Sequence, residues 1–118
     1  TISELKRFNR MIPTIEHIFP REARFDFPNY EFDSHEKYIG KINKIGNLTL
    51  LEKNLNSLCS EKNPDQKINE NLYTRSTFEG PKQLSAFIKN RGTSFVGSDI
   101  NKRGNVITDF CMKRWPIK

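Results

Sequence analysis

A chain of 118 residues with 35% apolar and 29% charged content and a mean hydropathy of −0.72 has room for one ordinary domain with a modest core. Nine Phe, three Tyr and one Trp exclude a disordered chain, and no apolar run approaches the roughly 18 residues of a membrane span. The net charge of +6 is lopsided: twelve basic and twelve acidic residues cancel over 1–81, while eight basic face two acidic over 82–118. Such a bias attracts polyanions, of which nucleic acid is the commonest in a cytoplasm; a solvated helix surface is the plain alternative.

The first element in chain order is a short helix over SELKRFNRM (3–11), opened by a Ser cap and stopped by Pro13, with Leu5, Phe8 and Met11 at helical intervals. TIEHIF (14–19) reads as a strand from its β-branched and aromatic content. Residues 21–38 mix charge, aromatics and Pro28 without a period, which predicts a long loop. Around Gly46 the chain turns, and Leu48 and Leu50 alternate about Thr49 as in a short strand. From Glu52 the spacing becomes helical, with Leu51, Leu55 and Leu58 on one face. Pro64 suits the first turn of a further helix running to about Tyr73. PKQLSAFIKNR (81–91) aligns Leu84, Phe87 and Ile88, and residues 98–115 form a last helix with a Ser98 cap, weakened by Gly104 and closed by Trp115 as a core anchor. The expected architecture is a small hairpin with helices around it.

Cys59 and Cys111 form no Cys-x-x-Cys pair, so this chain alone makes no four-cysteine zinc site, and two reduced thiols in a cytoplasmic protein are the default. No secretory leader is visible. A first residue of Thr1 leads us to expect one domain, 1–118, cut from a longer protein.

Two stretches carry chemistry. IEHIFP (15–20) sets an acid beside an imidazole among residues that want burial, and IGNLTLLEKNLNS (45–57) places Asn47 and Asn56 nine positions apart. With Lys67 in PDQK and INKRGNVITDFCMKRW at 100–115, this order resembles the HNH, or ββα-metal, endonucleases. More closely, it is similar to the HNH domain at the C-terminal end of GmrSD-type restriction enzymes. The resemblance implies an α+β fold with a His-Me finger core, a hairpin plus helix, surrounded by further α-helices. It also implies a metal-dependent DNA endonuclease acting in bacterial defence against foreign and in some cases modified DNA, joined to an N-terminal nucleotide-hydrolysing domain. His17, Asn47 and Asn56 take the three signature places.

The chemistry agrees with those places. His17 suits a general base because imidazole titrates near neutral pH. Asn47 suits holding the base's loop through amide hydrogen bonds. Glu16 and Asn56 offer oxygen ligands to a hard divalent cation, Mg²⁺ before Mn²⁺. Asn54 competes with Asn56, but two helical steps separate them by about 200° and only one faces the ion. Lys67 and Arg21 are candidate phosphate contacts, and Lys102, Arg103, Lys113 and Arg114 a DNA-binding surface. His35, in a polar setting, reads as solvated. Neighbours on an ideal strand face opposite sides, so Glu16 and His17 converge only if the strand twists or bulges near Pro20. Cutting both strands with one site per chain favours a dimer. The rival reading is a basic nucleic-acid-binding module whose nuclease site is degenerate; a weaker third is a nuclease toxin held by an acidic immunity protein.

Overall fold

A computed structural model describes residues 1–116; Lys118, counted in the basic excess, lies outside them. The class is α+β. Among the described residues, six α-helices accompany a two-stranded antiparallel sheet, and no helix is long and apolar enough to cross a membrane.

Helix α1 (Ile2–Met11) starts at Thr1, whose hydroxyl accepts from Glu4 N while Glu4 reaches back to the Thr1 amine. Its predicted apolar stripe of Leu5, Phe8 and Met11 is exposed. Strand β1 (Pro13–His17) pairs with β2 (Leu48–Glu52) in a continuous register from Pro13↔Glu52 to His17↔Leu48. The strand predicted to reach Phe19 thus ends at His17. Ile18, Phe19 and Pro20 leave it and are buried.

The stretch predicted as loop holds a 3-10 turn (Phe27–Tyr30) and the start of α2 (His35–Ile42). Ser34 caps that helix by accepting from Lys37 N, and Tyr38 and Ile42, one turn apart, enter the core. Phe19 is the hub of this core: Phe32 meets it edge-on at 5.0 Å, Tyr30 at 5.6 Å, and Phe95 lies tilted at 5.7 Å.

Helix α3 (Lys53–Cys59) follows β2 without a linker and packs on both strands. Its buried pair is Leu55 and Cys59; Leu58, predicted inward, is exposed. Helix α4 (Pro64–Asn69) is capped by Asn63 and stops short of Tyr73, because Asn71 takes a left-handed φ of 59°. Helix α5 (Glu79–Arg91) buries Leu84 and Ile88 but leaves Phe87 exposed, and ends on Gly92 at φ 75°.

Helix α6 (Gly97–Arg114) is capped by Asp99, whose carboxylate accepts from Val96 N at 2.8 Å, rather than by Ser98. Gly104 faces Gly46, and a Cβ on Gly46 would come 1.7 Å from the Ile100 carbonyl oxygen. The glycine that this packing requires is Gly46 in the facing turn, since a Cβ on Gly104 would meet its neighbours no closer than 3.6 Å. The helix therefore lies backbone to backbone against the turn before β2. Trp115 is a correction: it is 67% exposed and anchors nothing in the core.

Candidate active site

The strand end that carries His17 runs straight into Ile18–Phe19–Pro20, a segment too buried to leave polar backbone unpaired. Its partners account for every group from the His17 carbonyl to the Pro20 carbonyl. Lys67 Nζ donates to His17 O at 2.7 Å and Ile18 O at 3.0 Å. Ile18 N donates to Asn47 O at 2.8 Å. The Asn47 amide accepts from Phe19 N at 2.8 Å and donates to Phe19 O at 3.0 Å and to Ile42 O at 2.8 Å. The Tyr38 hydroxyl donates to Pro20 O. Asn47 is fully buried, and its side-chain amide holds this segment at both polar groups of Phe19.

Beside that segment opens a cleft of about 350 Å³ whose walls include Glu16, His17, Arg21 and Asn56. His17 is half-buried, with Nε2 3.0 Å from Asn43 Oδ1. With that carbonyl accepting, the ring proton sits on Nε2 and Nδ1 is the basic nitrogen. Glu16 is 2% exposed, and its Oε2 accepts from the Tyr73 hydroxyl at 2.8 Å and lies 3.1 Å from Lys67 Nζ. Neither Tyr73 nor Lys67 engages its Oε1, and the buried Cys59 thiol also lies against this carboxylate. Asn56 Nδ2 donates to Thr14 Oγ1 at 2.8 Å and to Ile15 O at 3.1 Å. Because a main-chain carbonyl only accepts, the amide orientation is fixed, and Oδ1 accepts from no donor among the described residues. Asn54 is exposed and is not part of the cleft. The bulge expected near Pro20 is missing from the pairing. Glu16 and His17 keep the alternation of a regular strand, and the cleft takes in both where that strand ends.

Residues 2–109 match the family model described as GmrSD restriction endonucleases, C-terminal domain. The chain belongs to this family. No curated protein and no solved structure matches it. The matched span of this GmrSD C-terminal domain includes the whole pinned segment and the cleft, and ends before Lys113 and Arg114.

Two basic residues of the domain do not do what their charge suggested. Lys67 was expected on phosphate, yet it is 0% exposed, and its ammonium meets His17 O, Ile18 O and Glu16, one acceptor for each of its protons. No proton remains for a phosphate. Arg103 was expected on DNA, yet its Nη1 donates to Gly46 O at 3.0 Å and Leu48 O at 2.8 Å, closing the end of the turn on which β2 begins. Lys102, Lys113 and Arg114 are exposed, and Arg21 is exposed at the cleft. His35 is exposed, its ring beside Phe27.

Sequence reasoning missed Tyr73, Tyr38 and Asn43. Tyr73 had a signal, being one of few aromatics in a polar run just after Lys67. Asn43 had none: it is a polar residue at the end of a helix that was itself unforeseen. Among the described residues, no group of three or more His, Cys, Asp or Glu is placed to hold a metal. The oxygen donors lining the cleft are the carboxylates of Glu16, Glu22 and Glu61, the Asn56 amide and the Ser60 hydroxyl, with Glu61 paired to Arg24.

Proposed function

We propose that this chain is an HNH-type, metal-dependent endonuclease domain that hydrolyses DNA phosphodiester bonds in restriction, with His17 as general base. The observation that carries the reading is the convergence of His17, Glu16 and Asn56 on one cleft, beside a segment whose backbone is held by Asn47 and Lys67. The order β1, β2, α3 supports the ββα-metal arrangement.

A hard divalent cation fits the donors: Glu16 Oε1 and Asn56 Oδ1 are both oxygens on residues that line the cleft, and neither is the atom engaged by Tyr73, Lys67, Thr14 or Ile15. Mg²⁺ is the leading candidate and Mn²⁺ the alternative; when bound, such an ion supplies charge stabilisation to the phosphate and the departing oxygen. The chain's own residues do the rest. His17 Nδ1 takes a proton from water as the new P–O bond forms, while Asn43 keeps the other ring nitrogen engaged. The bond to the 3′ oxygen breaks, and that oxygen collects a proton from solvent. Arg21 at the cleft, with Lys102, Lys113 and Arg114 on α6, supplies positive charge to the nucleic-acid backbone. An N-terminal nucleotide-hydrolysing domain, a dimer for double-strand cutting and a cytoplasmic location complete the reading. We take residues 1–118 as one domain.

One observation favours the rival, a binding module with a degenerate site: Glu16 is almost sealed and shares its charge with Lys67. Metal separates the two. His17→Ala should lower Mg²⁺-dependent plasmid nicking by roughly 10²-fold or more, with DNA affinity and thermal unfolding unchanged, and EDTA should stop the wild type. Full cleavage by the variant removes the mechanism, and nucleic-acid binding with no metal-dependent cutting leaves the rival.

A further inference from the structure

Tyr73 sits 57 positions from Glu16 in sequence, yet the two side chains meet at 2.8 Å in a fully buried setting. The phenol carries out no proton chemistry of its own. Burial, with the Glu16 carboxylate beside it, pushes its pKa well above the usual tyrosine value, so it remains a donor. Its bond lands on Oε2, the same oxygen that faces Lys67 Nζ at 3.1 Å. A carboxylate usually spreads its donors over both oxygens, since each has two lone pairs. Here one oxygen receives both, and the buried Cys59 thiol is the remaining polar neighbour of the carboxylate.

We infer that Tyr73 is a positioning residue for cation binding: with Lys67 it occupies Oε2 and turns Oε1 of Glu16 toward the cleft as the ligand atom. The inference rests on the endonuclease reading and adds the outer partner that orients its acidic ligand. Such partners fix ligand orientation and typically change metal affinity by 10- to 100-fold when removed. Lys67 cannot be tested in the same clean way, because removing it leaves a buried carboxylate without its counter-charge. Tyr73→Phe keeps the ring and the packing and deletes one hydroxyl.

The experiment is Mn²⁺ titration of the isolated chain without DNA, followed by electron paramagnetic resonance of the free ion. Wild type, Glu16→Gln and Tyr73→Phe are compared after circular dichroism has confirmed that each is folded at the working temperature. The expected result is a loss of affinity of about 10-fold or more in Tyr73→Phe and a larger loss in Glu16→Gln. If Glu16→Gln loses affinity while Tyr73→Phe binds as wild type, even with a lowered melting temperature, the role of Tyr73 is structural only and the inference falls while the endonuclease reading stands. If Glu16→Gln itself binds Mn²⁺ as wild type, Glu16 is no ligand and both fall.

Discussion

Asn47 grips both polar ends of one residue, accepting from Phe19 N at 2.8 Å and donating to Phe19 O at 3.0 Å. Phe19 is also the aromatic hub of the core, so one amide ties the strand end that bears His17 to the aromatic core. Asn47→Ala leaves Phe19 N, Phe19 O and Ile42 O without that partner in a buried place. Each unmade bond costs about 1–3 kcal/mol, and the variant should lose at least about 3 kcal/mol of stability by urea unfolding. Nicking should fall with it although His17 is untouched. An unchanged midpoint would show that water replaces the amide.

The basic residues divide by what they touch, and salt should sort them. Lys102, Lys113 and Arg114 are exposed; replacing any one that meets a phosphate should flatten the plot of log affinity against log salt by about 0.9 on duplex DNA. Lys67 and Arg103 are engaged with main-chain carbonyls. Arg103→Ala should lower the unfolding midpoint and leave the salt slope unchanged. Slopes equal to that of the wild type in all three exposed variants would reduce the α6 charge to ordinary solvated surface.

Asp99 gives the fold an acid-sensitive point. Burial alone would raise its carboxyl, but hydrogen bonds from Arg91 and from Val96 N outweigh that and hold it below the usual aspartate value. A depressed native pKa contributes stability that is fully present above the unfolded value of about 3.9 and is lost as pH falls through the native one. Asp99→Asn should therefore cost about 1–2 kcal/mol at pH 7 as a weakened helix cap, and should narrow the stability gap between neutral and acid solution. Urea unfolding at pH 7 and at about pH 3 measures both; an equal gap in the two proteins would mean that Asp99 is not a source of the acid sensitivity.

What the sequence made legible were the features written in local pattern. The hairpin and the helix that follows it lie in short stretches with a clear period, and His17 and Asn56, carried on them, both line one cleft. Helix α2 was hidden because its two inward residues, Tyr38 and Ile42, sit among charges that suggest a loop, although Ser34 was an available cap. Lys67 was misread for a physical reason. A lysine is almost never fully buried, and the acceptors that pay for its burial are carbonyls some 50 residues away, invisible to any local reading. Trp115 failed in the opposite sense: size and apolarity suggested the core, but no described residue folds back over the end of α6 to cover it.

Three of the holders of the strand end and the hairpin arrive late in the chain. Lys67 reaches back 50 positions to His17, Tyr73 57 to Glu16 and Arg103 55 to Leu48. A ribosome makes the polypeptide from its amino end, so the imidazole emerges on slack backbone long before the segments that shape it. The strand end that bears the imidazole is thus fully held only once the chain has been made through Arg103 in α6.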